Sequence, residues 1–238
     1  MSTLVKTAGL VLHTTPYSES SVIARIFTRE LGVRPYILKG VRGVRCRVKQ
    51  NLLQPLSYLE MTVYNNPRAS INYVKEVRPA AQFPTLASDC VRTSMLFFMN
   101  EVTFKSLRED ERNEALFDYL VRTMQRLDIE SPHASSPVNF LLQAAQHLGI
   151  APRDNYSAHL PFFDLEEGCF IADISPNTLD SEQSLLLHRH LQNINGDAIE
   201  ETNGDNGRLL DNLLRFFQMH LSEFHNFKSH EILHTVLN

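Results

Sequence analysis

Tryptophan is absent from the 238 residues, and cysteine occurs only as Cys46, Cys90 and Cys169. The three thiols stand far apart, so they form neither a CxxC metal pair nor a disulfide framework, as expected of a reducing compartment. No apolar run approaches the ~18 residues that a membrane span requires. The N-terminus lacks the apolar core and small-residue cleavage site of a secretory signal. With 43% hydrophobic residues and no low-complexity tract, the composition is globular. A cytoplasmic protein without a membrane anchor is the expectation.

Catalytic motifs are missing too. The chain has no P-loop, GxGxxG, GxSxG or HExxH. Its ten histidines include the pairs His188/His190 and His220/His225. None of these has a carboxylate or cysteine at ligand spacing, and residues two apart on a helix face different directions. Glu166 and Glu167 fall in a turn, where solvated charge suffices as an explanation. Glu109, Asp110 and Glu111 read as acidic charge at a helix N-terminus. No catalytic residue, cofactor or metal is expected.

Acids are also absent from Lys39–Lys49, which holds five cations (Lys39, Arg42, Arg45, Arg47 and Lys49) and two glycines in eleven residues. Strand-like apolar segments flank it, so it reads as a basic loop between strands. The wider charge distribution favours an anion-binding role over a merely solvated one. Residues 1–79 hold twelve of the 23 Lys and Arg but four of the 27 Asp and Glu, a net of +8. Residues 80–238 carry −12. A polyanion is the natural ligand, because Lys and Arg neutralise phosphates without reading sequence. Arg25, Arg34, Lys39, Arg42, Arg45, Arg47 and Lys49 are the candidate nucleic-acid contacts.

The charge break, with Pro79 and Pro84 beside it, places a domain boundary after residue 79. Before it, five strands are predicted over Leu4–Thr14, Ser20–Thr28, Val33–Lys39, Leu52–Tyr64 and Ile71–Val77. Together they suggest a small antiparallel barrel of the OB type. Tyr36, Tyr58 and Tyr64 lie on these strands and either stack on bases or pack in the barrel. After it, helical periodicity marks Thr85–Leu107, Glu111–Asp128, a helix opening at Ser136-Pro137 and stopping at Gly149, Ser181–Ile194, and Arg208–Phe224. Their apolar stripes describe a bundle core. The irregular stretch 152–176 contains a small hairpin around Glu166-Glu167-Gly168. The fold class is thus α+β: a five-stranded OB-type barrel over 1–79, then a mainly helical domain over 80–238 with a hairpin insert.

The order of several motifs resembles the RecO family of bacterial DNA-repair proteins. They are Val11-Leu12-His13, Pro16-Tyr17-Ser18-Glu19, Ile26-Phe27-Thr28-Arg29-Glu30-Leu31-Gly32, Lys39-Gly40-Val41-Arg42 and Leu53-Gln54-Pro55-Leu56. Near the other end, His220-Leu221 and Phe227-Lys228-Ser229-His230-Glu231-Ile232-Leu233 resemble the family's closing signature, with His230 where an arginine is usual. Many relatives carry a four-cysteine zinc module in the region of Asn155 to Asp173. Here Cys169 stands alone, so no zinc is expected and the hairpin is to be held by packing.

The resemblance implies a non-enzymatic recombination mediator, cytoplasmic and nucleoid-associated. It would bind single- and double-stranded DNA, anneal complementary strands and, with RecR, help load RecA onto DNA coated by single-stranded DNA-binding protein. The acidic tail of that protein would dock on the helical part, at Arg122 and Arg126 or at Arg215 and Lys228, the first pair being favoured. An alternative from a different class is an adaptor whose basic barrel binds an acidic protein partner. Salt-sensitive binding to bare oligonucleotides separates the two.

Overall fold

A computed structural model describes residues 3–41, 50–194 and 205–237. Four of the candidate cations, Arg42, Arg45, Arg47 and Lys49, lie outside the described residues. The chain divides into two compact units, Met1–Glu130 and Ser131–Asn238. Among the described residues no helix is long and apolar enough to cross a membrane.

The first unit is built on five strands: β1 (Thr3–Pro16), β2 (Ser21–Thr28), β3 (Gly32–Lys39), β4 (Tyr58–Asn65) and β5 (Asn72–Pro79). They close into a barrel, as expected from five strands with short turns; the structure gives their order as β1-β2-β3-β5-β4. Four of the five junctions are antiparallel; β3 and β5 run parallel and pair only at Tyr36–Asn72 and Ile37–Tyr73. Side chains alternate across a strand. Leu59, Met61 and Val63 of β4 therefore enter the core with Val11, Ala24, Ile26 and Leu38, while Glu60 and Tyr64 face out.

The fourth strand is shorter than its apolar run suggested. Gln50–Leu53 forms a 3-10 turn and Leu56 adopts φ 55°, so the strand begins at Tyr58 rather than at Leu52. Leu53 and Leu56 are nonetheless buried. Their hydrophobicity reflects anchoring of a loop in the barrel, which a pattern of apolar residues cannot distinguish from strand.

Three helices complete this unit: α1 (Pro84–Ser88), α2 (Cys90–Ser106) and α3 (Glu114–Ile129). The single helix predicted over Thr85–Leu107 is broken at Asp89, whose extended backbone ends α1 and whose carboxylate accepts the Arg92 N–H at 2.8 Å to cap α2. Asp128 of α3 caps α1 by accepting the N–H groups of Thr85 and Leu86 at 2.8 and 3.0 Å. Barrel and helices meet where Gly32 (φ 74°) lies against the Glu111 carbonyl; a Cβ there would sit 2.4 Å from that oxygen. Only glycine permits both the left-handed backbone and this approach.

The second unit holds α4 (Ser136–Leu148), a hairpin of β6 (Phe162–Asp164) and β7 (Cys169–Ile171), α5 (Ser181–Asn193), α6 (Asn206–His220) and α7 (Ser229–Leu237). α4 starts at Ser136 with Ser135 at its cap position, and Gly149 (φ 75°) ends it. The hairpin falls where expected. Side chains tie it together. Asn155 bonds the backbone of Phe170 through both its oxygen and its NH2, at 2.8 and 2.9 Å. Asp164 accepts the N–H groups of Glu166 and Glu167 at 2.8 and 3.0 Å and the Ser175 hydroxyl. Burial alone would raise the Asp164 pKa; these donors hold it below its usual value. Phe163 packs edge-on against Phe170 and tilted against Phe216 of α6.

Three helices of this unit share one buried polar tie. His190 of α5 is fully buried, with Nδ1 2.7 Å from Oδ1 of Asn139 on α4 and Nε2 2.8 Å from Oδ1 of Asn206 on α6. Burial pushes its pKa below 6.5. At neutral pH the ring is therefore neutral, donating to one amide and accepting from the other turned NH2-inward.

The lowered pKa sets a pH dependence. As pH falls below about 6.5 the unfolded chain takes up the proton first, so stability declines until the folded-state pKa is passed, by at most about 1.4 kcal/mol per pH unit. Urea unfolding at pH 7.5 and 5.5 should give a lower midpoint at the acidic pH. His190→Gln, which keeps a donor and an acceptor but does not titrate there, should narrow that difference. The lowered carboxylates, Asp118, Asp164 and Asp180, titrate below 3.8 and do not enter this window.

Candidate nucleic-acid interface

Among the described residues, the cations of 1–79 separate into those paired with acids and those without an ion pair. Arg29 belongs to the first kind. Its Nε and Nη2 donate to the two carboxylate oxygens of Asp118 on α3 at 2.8 and 3.0 Å, and its Nη1 lies 3.1 Å from Glu114. This fork-to-carboxylate geometry is the strong form of an ion pair. It raises the Arg29 pKa further and holds Asp118 below the usual carboxylate range. Arg34 is likewise engaged. Its side chain is only 12% exposed, its Nη1 donates to Oδ1 of Asn65 at 2.8 Å, and its Nε lies 2.6 Å from Asp110. Arg78 pairs with Glu60 and Lys75 with Glu76.

Lys6, Arg25, Lys39 and Arg68 form no ion pair among the described residues. Arg25, on β2, lies with its guanidinium carbon 5.1 Å from the centre of the Phe104 ring. Lys39 ends β3, its ammonium 5.1 Å from the centre of the Tyr73 ring. Arg68 sits in the turn between β4 and β5, where Oδ1 of Asn66 accepts its N–H.

The stretch that starts at Lys39 leaves the barrel from a fixed point. Val41 is buried in the barrel core and its N–H donates to the Ser20 carbonyl at 2.9 Å. On the return side Leu53 and Leu56 are buried, and the Leu56 N–H donates to the Val11 carbonyl at 2.7 Å. Both ends of the basic stretch are thus pinned to the same barrel.

Of the three tyrosines considered from sequence, Tyr36 is buried inside the barrel and Tyr58 packs edge-on against Phe117 of α3, while Tyr64 is exposed. Tyr73, which the sequence reading passed over, is exposed as well. The available signal was alternation about Val74, which packs against the core; a register shift between Val74 and Glu76 then turns Val77 inward as well.

Models of the Recombination protein O N-terminal and C-terminal families match residues 1–83 and 87–160. The chain belongs to the RecO family. DNA repair protein RecO of Phocaeicola vulgatus is 29% identical over 97% of this chain and 98% of its own length. The proteins of the same name from Flavobacterium psychrophilum and Azobacteroides pseudotrichonymphae are 27% and 25% identical, covering 98% and 99% of this chain and 99% and 100% of their own lengths. The RecO N-terminal match ends just past β5, so it spans the whole barrel.

The two partner-site candidates differ in what surrounds them. Beside Arg122 and Arg126 the apolar residues Leu120 and Met124 are buried beneath α3, and Arg126 lies 3.4 Å from Glu130. Phe216, Phe224 and Phe227 are buried too. Arg215, however, lines a groove of about 300 Å³ with Leu214, Phe227, His230 and His234. Asp211 in the same groove is paired with His234 at 2.9 Å.

The division of cations can be checked directly. Replacing Arg34 by Ala removes a largely buried side chain and its hydrogen bond to Asn65, and should lower stability by about 1 kcal/mol. Lys39→Ala removes an exposed side chain and should stay within about 0.5 kcal/mol. Urea midpoints of the two variants give both values.

Proposed function

We propose that this member of a DNA-repair family acts without enzymatic chemistry, as a recombination mediator that binds single- and double-stranded DNA through its barrel and anneals complementary strands. The observation that carries the reading is the net +8 of residues 1–79, with Lys39 at the end of a barrel strand and four more cations in the sequence between the buried anchors Val41 and Leu53. Annealing brings two phosphate backbones together, and cations that screen their repulsion lower that barrier without reading bases. Arg42, Arg45, Arg47 and Lys49, with Lys39 and Arg25, are the proposed phosphate contacts. Arg34 would have to leave Asp110 to join them. In the same reading the protein works with RecR to load RecA onto DNA covered by single-stranded DNA-binding protein.

Removing Arg42, Arg45 and Arg47 together should weaken binding to every sequence alike. It should also flatten the log–log salt dependence by roughly 0.9 per lost duplex contact, or 0.7 on a single strand. Fluorescence anisotropy of labelled oligonucleotides across a salt series measures both. Unchanged affinity and slope would transfer the basic stretch to the adaptor reading.

An acidic tail with apolar terminal residues needs an apolar groove with a cation at its rim, particularly on a part of the chain that is net acidic. The groove beside Arg215 combines that cation with Leu214 and Phe227 among the polar side chains of Asp211, Gln218, His230 and His234, and it is proposed ahead of the Arg122/Arg126 pair, whose apolar neighbours are buried. Titration of a tail peptide should show at least a tenfold loss in Arg215→Ala/Lys228→Ala and less than a twofold change in Arg122→Ala/Arg126→Ala.

A further inference from the structure

The outer face of the barrel carries a short row of exposed apolar side chains. Leu4 of β1 lies opposite Tyr64 of β4, and Tyr64 lies opposite Tyr73 of β5. They are 53%, 41% and 45% exposed. Their inward-facing neighbours Val5, Val63 and Val74 pack in or against the barrel core, so the outward direction of the row follows from the strand alternation. Among the described residues of the barrel, the other large exposed apolar side chain is Tyr17, in the β1–β2 turn. Cross-strand neighbours of this kind lie side by side on one face. With strands about 4.8 Å apart, three positions span about 10 Å.

The row ends in a cation. Lys39 holds its ammonium over the Tyr73 ring, and the sequence runs on from Lys39 into Arg42, Arg45, Arg47 and Lys49. Arg68 lies in the turn that joins the two tyrosine-bearing strands. Farther along the same strands the charge reverses to a mixture: Glu30, Glu60 and Glu76 line a groove there with Lys6 and Arg78.

We propose that Leu4, Tyr64 and Tyr73, with Lys39 at their edge, form a stacking surface for the unpaired bases of a single DNA strand. The inference rests on the reading that the barrel binds DNA, and adds which form of DNA this face selects and by what contact. A nucleotide satisfies both halves of the Lys39–Tyr73 pair, since its base offers a flat π-face to the ring and its phosphate an anion to the ammonium. A row of two aromatic rings and one aliphatic side chain tolerates any base, because every base has such a face. Duplex DNA buries those faces between base pairs and cannot use the row. The phosphates lie toward Lys39 and Arg68, away from the carboxylates at the other end.

The test separates bases from phosphates. The full chain is titrated against a labelled oligo-dT, an abasic oligonucleotide of equal length and a duplex. Wild type should bind oligo-dT more tightly than the abasic strand. Tyr64→Ala/Tyr73→Ala should lose about tenfold or more on oligo-dT. It should stay within twofold on the abasic strand and the duplex, with an unchanged salt slope. Tyr73→Phe should bind as wild type does, because the ring and not the hydroxyl makes the contact.

The absence of tryptophan supplies an independent readout. Tyr73→Trp carries the sole indole, whose emission should be quenched by oligo-dT and not by the abasic strand. Equal binding of oligo-dT and abasic strand by wild type, or an unquenched indole on saturated protein, overturns the proposal while leaving phosphate binding intact. If the double variant keeps full oligo-dT affinity, the row serves a protein surface or nothing, and the proposal is wrong. No binding to any of the three probes by wild type would instead overturn the DNA-binding reading itself.

Discussion

The first unit depends on one short junction. Five strands become a barrel only because β5 reaches β3, and it does so through two parallel residue pairs, Tyr36–Asn72 and Ile37–Tyr73. Beyond those two pairs the facing edges of β3 and β5 part, and Val33 of β3 bridges to Glu109 instead. The junction is reinforced from within: Tyr36 is buried, and the buried Asn72 accepts the Asn66 N–H at 2.8 Å, holding the turn that sets the start of β5. Because β3 ends there, Lys39 lies over the exposed ring of Tyr73 on β5. Position of charge and position of aromatic surface thus follow from the same closure.

A second set of contacts fixes the helices of this unit against the barrel. Arg29 grips Asp118, Arg34 approaches Asp110, the Asp110 N–H donates to the Val33 carbonyl at 2.9 Å, and Gly32 admits the Glu111 carbonyl. These arginines stand only five residues apart and read in sequence like the neighbouring cations. Their partners come from 76 and 89 residues away, and those acids turn them from surface charge into structural ties.

In the second unit polar side chains organise the small insert. Asn155 bonds one hairpin strand like an added strand, Asp164 gathers the turn, and the Phe163–Phe170–Phe216 cluster joins the hairpin to α6. Hydrogen bonds of this number satisfy buried polar atoms that would otherwise be costly to desolvate. His190 does the same for α4, α5 and α6, with a titratable group in a fully buried position.

Alternation, turn residues and helical stripes were local properties, and the sequence alone determined from them the five-strand barrel, the helical remainder, the hairpin at 162–171 and the motif order of the RecO family. The break between α1 and α2 and the late start of β4 escaped, since Asp89 and Leu56 reveal their backbone only through the partners they meet. Tertiary structure alone decided which cations are spoken for and which tyrosines see solvent. It buried Tyr36, packed Tyr58 on Phe117 and set Tyr64 beside Tyr73. Charge and aromaticity belong to a residue by itself. Availability depends on the residue placed opposite, and register and closure bring that residue from distant parts of the chain.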